Sequence, residues 1–338
     1  PDQGGPSSAW HGNIASGSAR VHNGNHYGDA TYNITSTTHD NADWDSLKTW
    51  LEEEGSIYWV CGKAGSGKST LMAPIVEDYR TIQCLCTWAH GRPLHVLRFF
   101  FWRPGTELQK SINGLLRTIL YQICTEVGQV VQKVAMAVRW QPGRQVSWSD
   151  KRLNLAIEAA LTSSEDVFCF FLDGLDEFVG DLSSLTDLIN QLGALENVKL
   201  CVSSRPEAEL KAHFSTCKQL RLERLNRADI EKFVISQLHR LQHNPVFTRS
   251  KSESYLGFIG EVVHRADGVF LWTVLVLPTL IRGIVSGDDW NMLHTRLHMT
   301  PVAINDLYAI DCVAIPRLAT PNGGPPSHTF SAEDAAKL

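Results

Sequence analysis

The chain has no long apolar run, no basic excess, no cysteine framework and no internal repeat, and each absence removes a class of function. Its longest apolar stretch, Val269 to Ile281, is interrupted by Pro278 and closed by Arg282. That is short of the roughly 20 residues that a bilayer-spanning helix needs, and it suits a core helix. A formal net charge of −5 and a sequence pI near 6.2 provide neither a nucleic-acid surface nor one for anionic lipid. Lys and Arg are scattered singly, apart from short pairs such as Lys151-Arg152. The eight cysteines are spread out, with Cys61, Cys169 and Cys201 inside apolar runs, as expected of buried thiols in a reducing compartment. The N-terminal Pro1-Asp-Gln-Gly-Gly has neither the charged nor the apolar region of a secretory signal, so a cytoplasmic location is expected and the sequon at Asn33 is read as idle. The missing initiator Met leaves open that the sequence is a fragment. With no repeat of about 20 to 50 residues, a solenoid or propeller is excluded.

What is present is an alternation. Residues 1–42 are rich in Gly, Ser, Asn and His and cannot bury enough surface to offset chain entropy, so a disordered linker is expected. From Asp43 a short helix leads to a strand at Ile57 to Cys61. Further strands are expected at Leu97 to Trp102, Val167 to Leu172, Val198 to Ser204 and Gln219 to Leu225. Between them, Leu108 to Ile123, Asp150 to Leu161 and a segment capped by Asp181 carry apolar residues at helical spacing. Strands alternating with helices mean a parallel sheet covered on both faces, an α/β fold over residues 43–225. From Asn226 to Tyr308 the pattern is purely helical, which predicts a second subdomain. Residues 309–338, Pro- and Gly-rich in part, read as an unstructured tail.

One stretch carries the chemistry: Ile57-Tyr-Trp-Val-Cys-Gly-Lys-Ala-Gly-Ser-Gly-Lys-Ser-Thr70. Gly62, Lys63, Ala64, Gly65, Ser66, Gly67, Lys68 and Ser69 fit the phosphate-loop pattern G-x-x-x-x-G-K-[ST], with a strand before it and a helix opening at Ser69-Thr70. Gly65 and Gly67 let the backbone fold so that N–H groups converge on phosphates. Lys68 brings a point charge to the β- and γ-phosphates, and the Ser69 hydroxyl can ligate Mg²⁺. A nucleoside triphosphate is the expected ligand; the sequence does not decide between ATP and GTP.

Turnover also needs a carboxylate for Mg²⁺ and a group that orients water. Phe168-Cys-Phe-Phe-Leu-Asp-Gly-Leu-Asp-Glu177 offers both. Asp173 ends an apolar strand at the carboxyl edge of the sheet, where ligands gather, and is the expected Mg²⁺ residue. Gly174 removes bulk beside the metal, while Asp176 and Glu177 can orient a water or accept its proton. The strand ending Ser203-Ser-Arg-Pro206 places Arg205 where it can sense a γ-phosphate or, alternatively, pair with a surface carboxylate.

These motifs together resemble the NACHT class of signal-transducing P-loop ATPases, in particular the fungal NOD-like receptors whose P-loop region is also described as nephrocystin-like. Phe99-Phe-Phe-Trp102 with Gly105, Leu108-Gln-Lys-Ser111, Gly114-Leu-Leu-Arg117 and Ala266-Asp-Gly-Val-Phe-Leu-Trp272 add to the likeness, which covers roughly residues 45–308. The resemblance implies a sheet ordered 5-1-4-3-2 and a helical or winged-helix region packed over the nucleotide. It also makes Asp173 to Glu177 the Walker B element and the Ser203-Ser-Arg-Pro206 strand the sensor 1 position. Ala64 stands where the family usually has Pro, and the likeness stops after Leu307-Tyr308, so sensor repeats cannot be located.

The expectation is a slow nucleoside triphosphatase acting as a switch. It would self-associate on activation and recruit protein partners, without nucleic acid or a membrane span. A scaffold that holds nucleotide without hydrolysing it is the alternative, and a small-molecule phosphotransferase is a third reading that the Asp173 and Arg205 motifs disfavour. Two weaker signals remain. Cys84, Cys86, His90 and His95 have the residue types of a zinc site, but C-x-C spacing is poor for one and packed thiols with solvated histidines are expected. Ala19 to Gly28 and Thr31 to Ile34 faintly resemble amyloid-signalling motifs, where Asn ladders could template cross-β structure; a solvated linker is the better reading.

Overall fold

Runs dense in Val, Phe, Leu, Ile and Trp become the strands. In the computed structural model, whose described residues are 42–141, 147–241, 243–244, 252–304 and 306–307, these are β1 (Ile57–Cys61), β2 (Leu94–Phe100), β3 (Val167–Asp173), β4 (Val198–Ser204) and β5 (Lys218–Arg221). They form one sheet in the order β2-β3-β4-β1-β5, and every pairing is parallel. This is the expected 5-1-4-3-2 order and an α/β P-loop NTPase fold. β3 and β4 are buried along their whole length, as strands covered on both faces must be. The readings of residues 1–41 and 309–338 lie outside the described residues.

The covering helices are α1 (Ala42–Glu52), α2 (Lys68–Glu77), α3 (Tyr79–Ala89), α4 (Ile112–Glu126), α5 (Val130–Ala137), α6 (Asp150–Leu161), α7 (Leu182–Gly193) and α8 (Ala208–Phe214). Asp181 caps α7 as expected, accepting from the backbone N–H groups of Ser183 and Ser184. One apolar cluster joins Trp59, Phe168, Phe170, Leu172, Leu200 and Val202 on the sheet to Leu115, Ile119, Ile157, Leu185 and Phe214 on these helices. A charge also sits in the interior. Lys199, 1% exposed on β4, donates to the carbonyls of Trp50 and Glu53 at the end of α1 and lies 4.8 Å from the ring centre of Trp50 and 5.0 Å from that of Trp88. Burial pushes its pKa down to about 8.

Three segments differ from expectation. The stripe from Leu108 is split. A single 3₁₀ turn covers Glu107–Lys110 and α4 starts at Ile112, with the Ser111 hydroxyl accepting from the Gly114 N–H at 3.2 Å. The chain is so close there that a Cβ on Gly114 would lie 1.6 Å from the Leu108 carbonyl oxygen. β2 starts earlier than expected, at Leu94, and ends at Phe100. The last strand stops at Arg221 because Leu222, Leu225 and Asn226 are buried at helical spacing and open α9 (Leu222–His239).

After α9 come α10 (Ser252–Ala266), α11 (Phe270–Ser286) and α12 (Trp290–Met299). Their shared core includes Ile230, Val234, Phe258, Val262, Trp272 and Leu293. No described helix is long and apolar enough to cross a membrane. All described cysteines are free. Cys84 and Cys86 lie on α3, and the Cys84 thiol donates to Glu52 at 3.2 Å. His95 is not solvated as expected; its ring bonds Glu126 and Asp166, each at 3.1 Å. Among the described residues, these cysteines and histidines form no metal-holding group.

Candidate phosphate-binding site

β1 delivers the chain to the carboxyl edge of the sheet, and the loop leaves it with the Gly62 N–H bonded to the Ser204 carbonyl at 3.3 Å. Gly65 at φ 71° and Gly67 at φ 92° are left-handed, a conformation that residues with a Cβ adopt only under strain. Gly67 ends the loop as the N-cap of α2, where no side chain caps the helix. The first-turn N–H groups and the positive end of the helix dipole therefore face the loop, as at an anion site.

Lys68 bends back over the loop, and its ammonium donates to the carbonyls of Gly62 at 2.9 Å and Lys63 at 3.3 Å. Burial lowers its pKa, and the charges of Asp176 and Asp173 oppose that shift. Asp173, 2% exposed, accepts from the Ser203 hydroxyl, and the Ser69 hydroxyl lies near it. Burial raises its pKa, partly offset by the Ser203 and Ser69 hydroxyls and by Lys68. The Ser203 oxygen in turn accepts the Gly174 N–H at 3.1 Å. β4 thus fixes the end of β3. Gly174 is left-handed at φ 73°, and a Cβ there would meet the Phe101 carbonyl at 3.2 Å; backbone conformation, rather than room beside a metal, accounts for this glycine.

Asp176 and Glu177 differ in what holds them. Both carboxylate oxygens of Asp176 are engaged by Arg205, one by its backbone N–H at 2.9 Å and the other by its Nε at 3.0 Å. Glu177 accepts one hydrogen bond, from the Arg103 N–H at 3.0 Å. Its pKa is raised chiefly by burial, with Asp176 and Asp173 adding to the shift. Arg103, unremarked in the sequence, also donates from its guanidinium to the Asp176 carbonyl at 2.6 Å.

The opposite wall comes from the helical segment. The Asn226 amide on α9 donates to the carbonyls of Ser66 at 2.7 Å and Gly268 at 2.8 Å. Glu223 accepts the Lys63 N–H at 2.7 Å, and the Leu271 N–H bonds the Gly65 carbonyl at 3.2 Å. Lys63 and Asp267 form an ion pair. Gly268 passes so close to α9 that a Cβ would lie 2.3 Å from the Glu223 Cα. Above Gly65 a Cβ would strike the side chains of Ile304 and Leu271 at 2.6 and 2.9 Å. Beneath this wall the Ser66 hydroxyl is buried without a partner. Sequence reasoning missed Glu223 and Asn226; Asp267 and Gly268 lay inside a quoted motif but carried no role.

The profile of the family described as "Nephrocystin 3, N-terminal" matches residues 37–205, half of the chain. The chain belongs to this family. The family match takes in the phosphate loop, the Asp173–Glu177 element and Arg205, and ends before the helical wall. No curated protein matches the chain. Solved structures with some likeness include Drosophila ORC bound to DNA, at 12% identity and a TM-score of 0.38, over 73% of this chain and 62% of that one. The Aeropyrum pernix ORC2 protein in ADPNP–ADP complexes aligns at 11% and 0.35, over 79% and 69%. PCH-2 of C. elegans aligns at 13% and 0.35, over 80% and 66%. The chain thus spans less than two thirds of the first of these, and likenesses at this level assign no function.

Proposed function

We propose that the chain binds a nucleoside triphosphate with Mg²⁺ and works as a NACHT-type signalling switch, as its resemblance to fungal NOD-like receptors suggests. The observation that carries this reading is the hydrogen bonding between the phosphate loop and the helical segment, through Asn226 and the Leu271 N–H. A ligand in the loop changes the position of these carbonyls, and a conformational equilibrium moves by the ligand's differential affinity for its two states. Hydrolysis is slow in this reading, because the nucleotide state is the signal. Self-association and protein partners in the cytoplasm carry the output.

The residues present fit a magnesium-nucleotide. The Ser69 hydroxyl lies near enough to Asp173 to favour its carboxylate form, a helix-start hydroxyl and a strand-end carboxylate that together could hold this ion, and in the same loop Ser66 offers a buried, unpartnered hydroxyl. Mg²⁺ held there would neutralise charge on the β- and γ-phosphates. Lys68 would exchange its two loop carbonyls for phosphate oxygens. Glu177, with one oxygen unclaimed by Arg103, would take the proton of an attacking water. Arg205 would report the γ-phosphate by leaving Asp176 for it. The engagement of both Asp176 oxygens by Arg205 favours the second reading, a scaffold that binds nucleotide without turnover.

Calorimetric titration with ATP and GTP, in the wild type and in Lys68→Ala, tests the proposal. One nucleotide should bind in a Mg²⁺-dependent way, and the folded variant should lose it. Wild-type affinity in folded Lys68→Ala would overturn the assignment. Phosphate release by the wild type then separates switch from scaffold.

A further inference from the structure

Away from the phosphate loop, two helices bring three metal-ligand side chains together. His294 and His298 lie one turn apart on α12 and share a face, since residues four apart on a helix are neighbours. Glu261 on α10 reaches both of them. Its carboxylate lies 2.5 Å from the His294 Nδ1 and 2.8 Å from the His298 Nε2, and the three ligand atoms are all within 4.8 Å of one another.

From this arrangement we infer a binding site for a zinc-like divalent transition metal, with Glu261, His294 and His298 as its protein ligands and water completing the shell. The spacing H-x₃-H supplies two imidazoles from one helix turn, and a carboxylate from a second helix makes the His₂Glu set that zinc accepts. Tetrahedral ligands at about 2.0–2.2 Å from zinc stand roughly 3.3 Å apart, so small side-chain rotations convert these hydrogen bonds into a coordination shell. Nitrogen and carboxylate donors suit zinc, cobalt, nickel or copper over magnesium or calcium, which prefer oxygen alone.

The surroundings hold the ligands and leave the metal a route in. Phe258, fully buried on α10, meets the His294 ring edge-on with centroids 5.3 Å apart. The side chains of Glu261, His294 and His298 are 23%, 36% and 63% exposed. The neighbouring cations are occupied elsewhere. Arg265, one turn beyond Glu261, donates to the backbone carbonyls of Thr300 at 2.7 Å and His298 at 3.5 Å and to no ligand atom, and Arg296 on α12 pairs with Asp288. Metal bound here would clip α10 to α12. α10 leads directly into Asp267 and Gly268, and α12 is followed by Ile304, so the clip would brace the two ends of the segment that meets the phosphate loop.

The test uses the full chain, freed of any histidine tag and stripped with chelator, titrated with Zn²⁺ by calorimetry and with Co²⁺ by visible absorption. The chain has 13 histidines, so the variants decide. The wild type should take up one equivalent with the visible bands of four-coordinate Co²⁺, and Zn²⁺ should raise its melting temperature. Glu261→Gln, nearly isosteric, and His298→Ala, at the most exposed ligand, should each fold and lose at least about tenfold in affinity. His264→Ala, an exposed histidine on α10 outside the cluster, should bind like the wild type. No saturable equivalent, or equal affinity in wild type, Glu261→Gln and His298→Ala, would overturn the site and leave a hydrogen-bonded His–Glu–His triad.

Discussion

On one side of the phosphate loop the polar groups stand on strand ends; on the other they come from helices that follow the sheet in sequence. The buried Asp173 accepts from Ser203 on the neighbouring strand, and the buried Asp176, in the turn just after β3, is held by Arg205 just after β4. The helical wall meets the loop mainly at the loop's backbone atoms: the carbonyls of Ser66 and Gly65 and the N–H of Lys63. In the proposed switch the sheet wall would select by charge and chemistry, whereas the helical wall would follow the loop's backbone conformation. One wall would then read the nucleotide and the other pass on the result.

The largest effect expected belongs to the sheet wall. Glu177→Gln keeps shape and the Arg103 contact but cannot take a proton, so phosphate release should fall by about a hundredfold or more while nucleotide still binds. The pKa of Glu177 is raised from 4.5, so the group is protonated already at pH values where an ordinary glutamate stays ionised. Wild-type turnover should accordingly begin to fall at a higher pH on acidification than an ordinary glutamate would allow, and the residual activity of the variant should lack that limb. Single-turnover assays across pH would show both. Undiminished release by Glu177→Gln would move the proton acceptor elsewhere and weaken the contrast between the walls.

The contrast also explains what could be read from sequence. The positions of the phosphate loop, Asp173 and Glu177 at the carboxyl edge were legible because a strand followed at once by Gly-rich or acidic residues marks where it ends; the 5-1-4-3-2 order came only with the family resemblance. Asn226 and Glu223 were not legible. They sit 160 residues from their loop partners Ser66 and Lys63, and in sequence they are ordinary polar residues opening a helix. The Asp176–Arg205 pairing escaped for a related reason, since both residues were found but sequence places them only by strand end. Lys199 had a visible signal, a lone cation inside an apolar strand, yet nothing in the sequence marked the helix-end carbonyls and Trp rings that receive it.

The second prediction weighs the helical wall. Asn226 is 7% exposed, and one amide serves two carbonyls. Asn226→Ala leaves the Ser66 and Gly268 carbonyls without that donor, at a cost of about 1–3 kcal/mol. Denaturant unfolding should show the loss, and hydrogen exchange should rise at Leu271 and the start of α11 well before it rises in β3. Should protection at Leu271 stay unchanged, the walls are joined by apolar packing of Ile304 and Leu271 on Gly65, not by the amide.

The smallest effect should come from the contact that looks strongest on charge alone. Lys63 and Asp267 are oppositely charged and close, but their side chains are 46% and 63% exposed. Exposed pairs contribute about 0.2–1 kcal/mol, because water and salt screen them and two long side chains lose freedom in meeting. The Lys63 backbone N–H still reaches Glu223 after the side chain is removed, so Lys63→Ala cuts only the ion pair. Its stability loss should stay below about 1 kcal/mol and shrink further in high salt, while the loss in Asn226→Ala should change little with salt. Measuring both variants at low and high ionic strength decides which force joins the walls. If Lys63→Ala costs as much as Asn226→Ala and recovers in salt, the clasp is electrostatic, and a nucleotide would loosen it through its own charge instead of by moving the loop carbonyls.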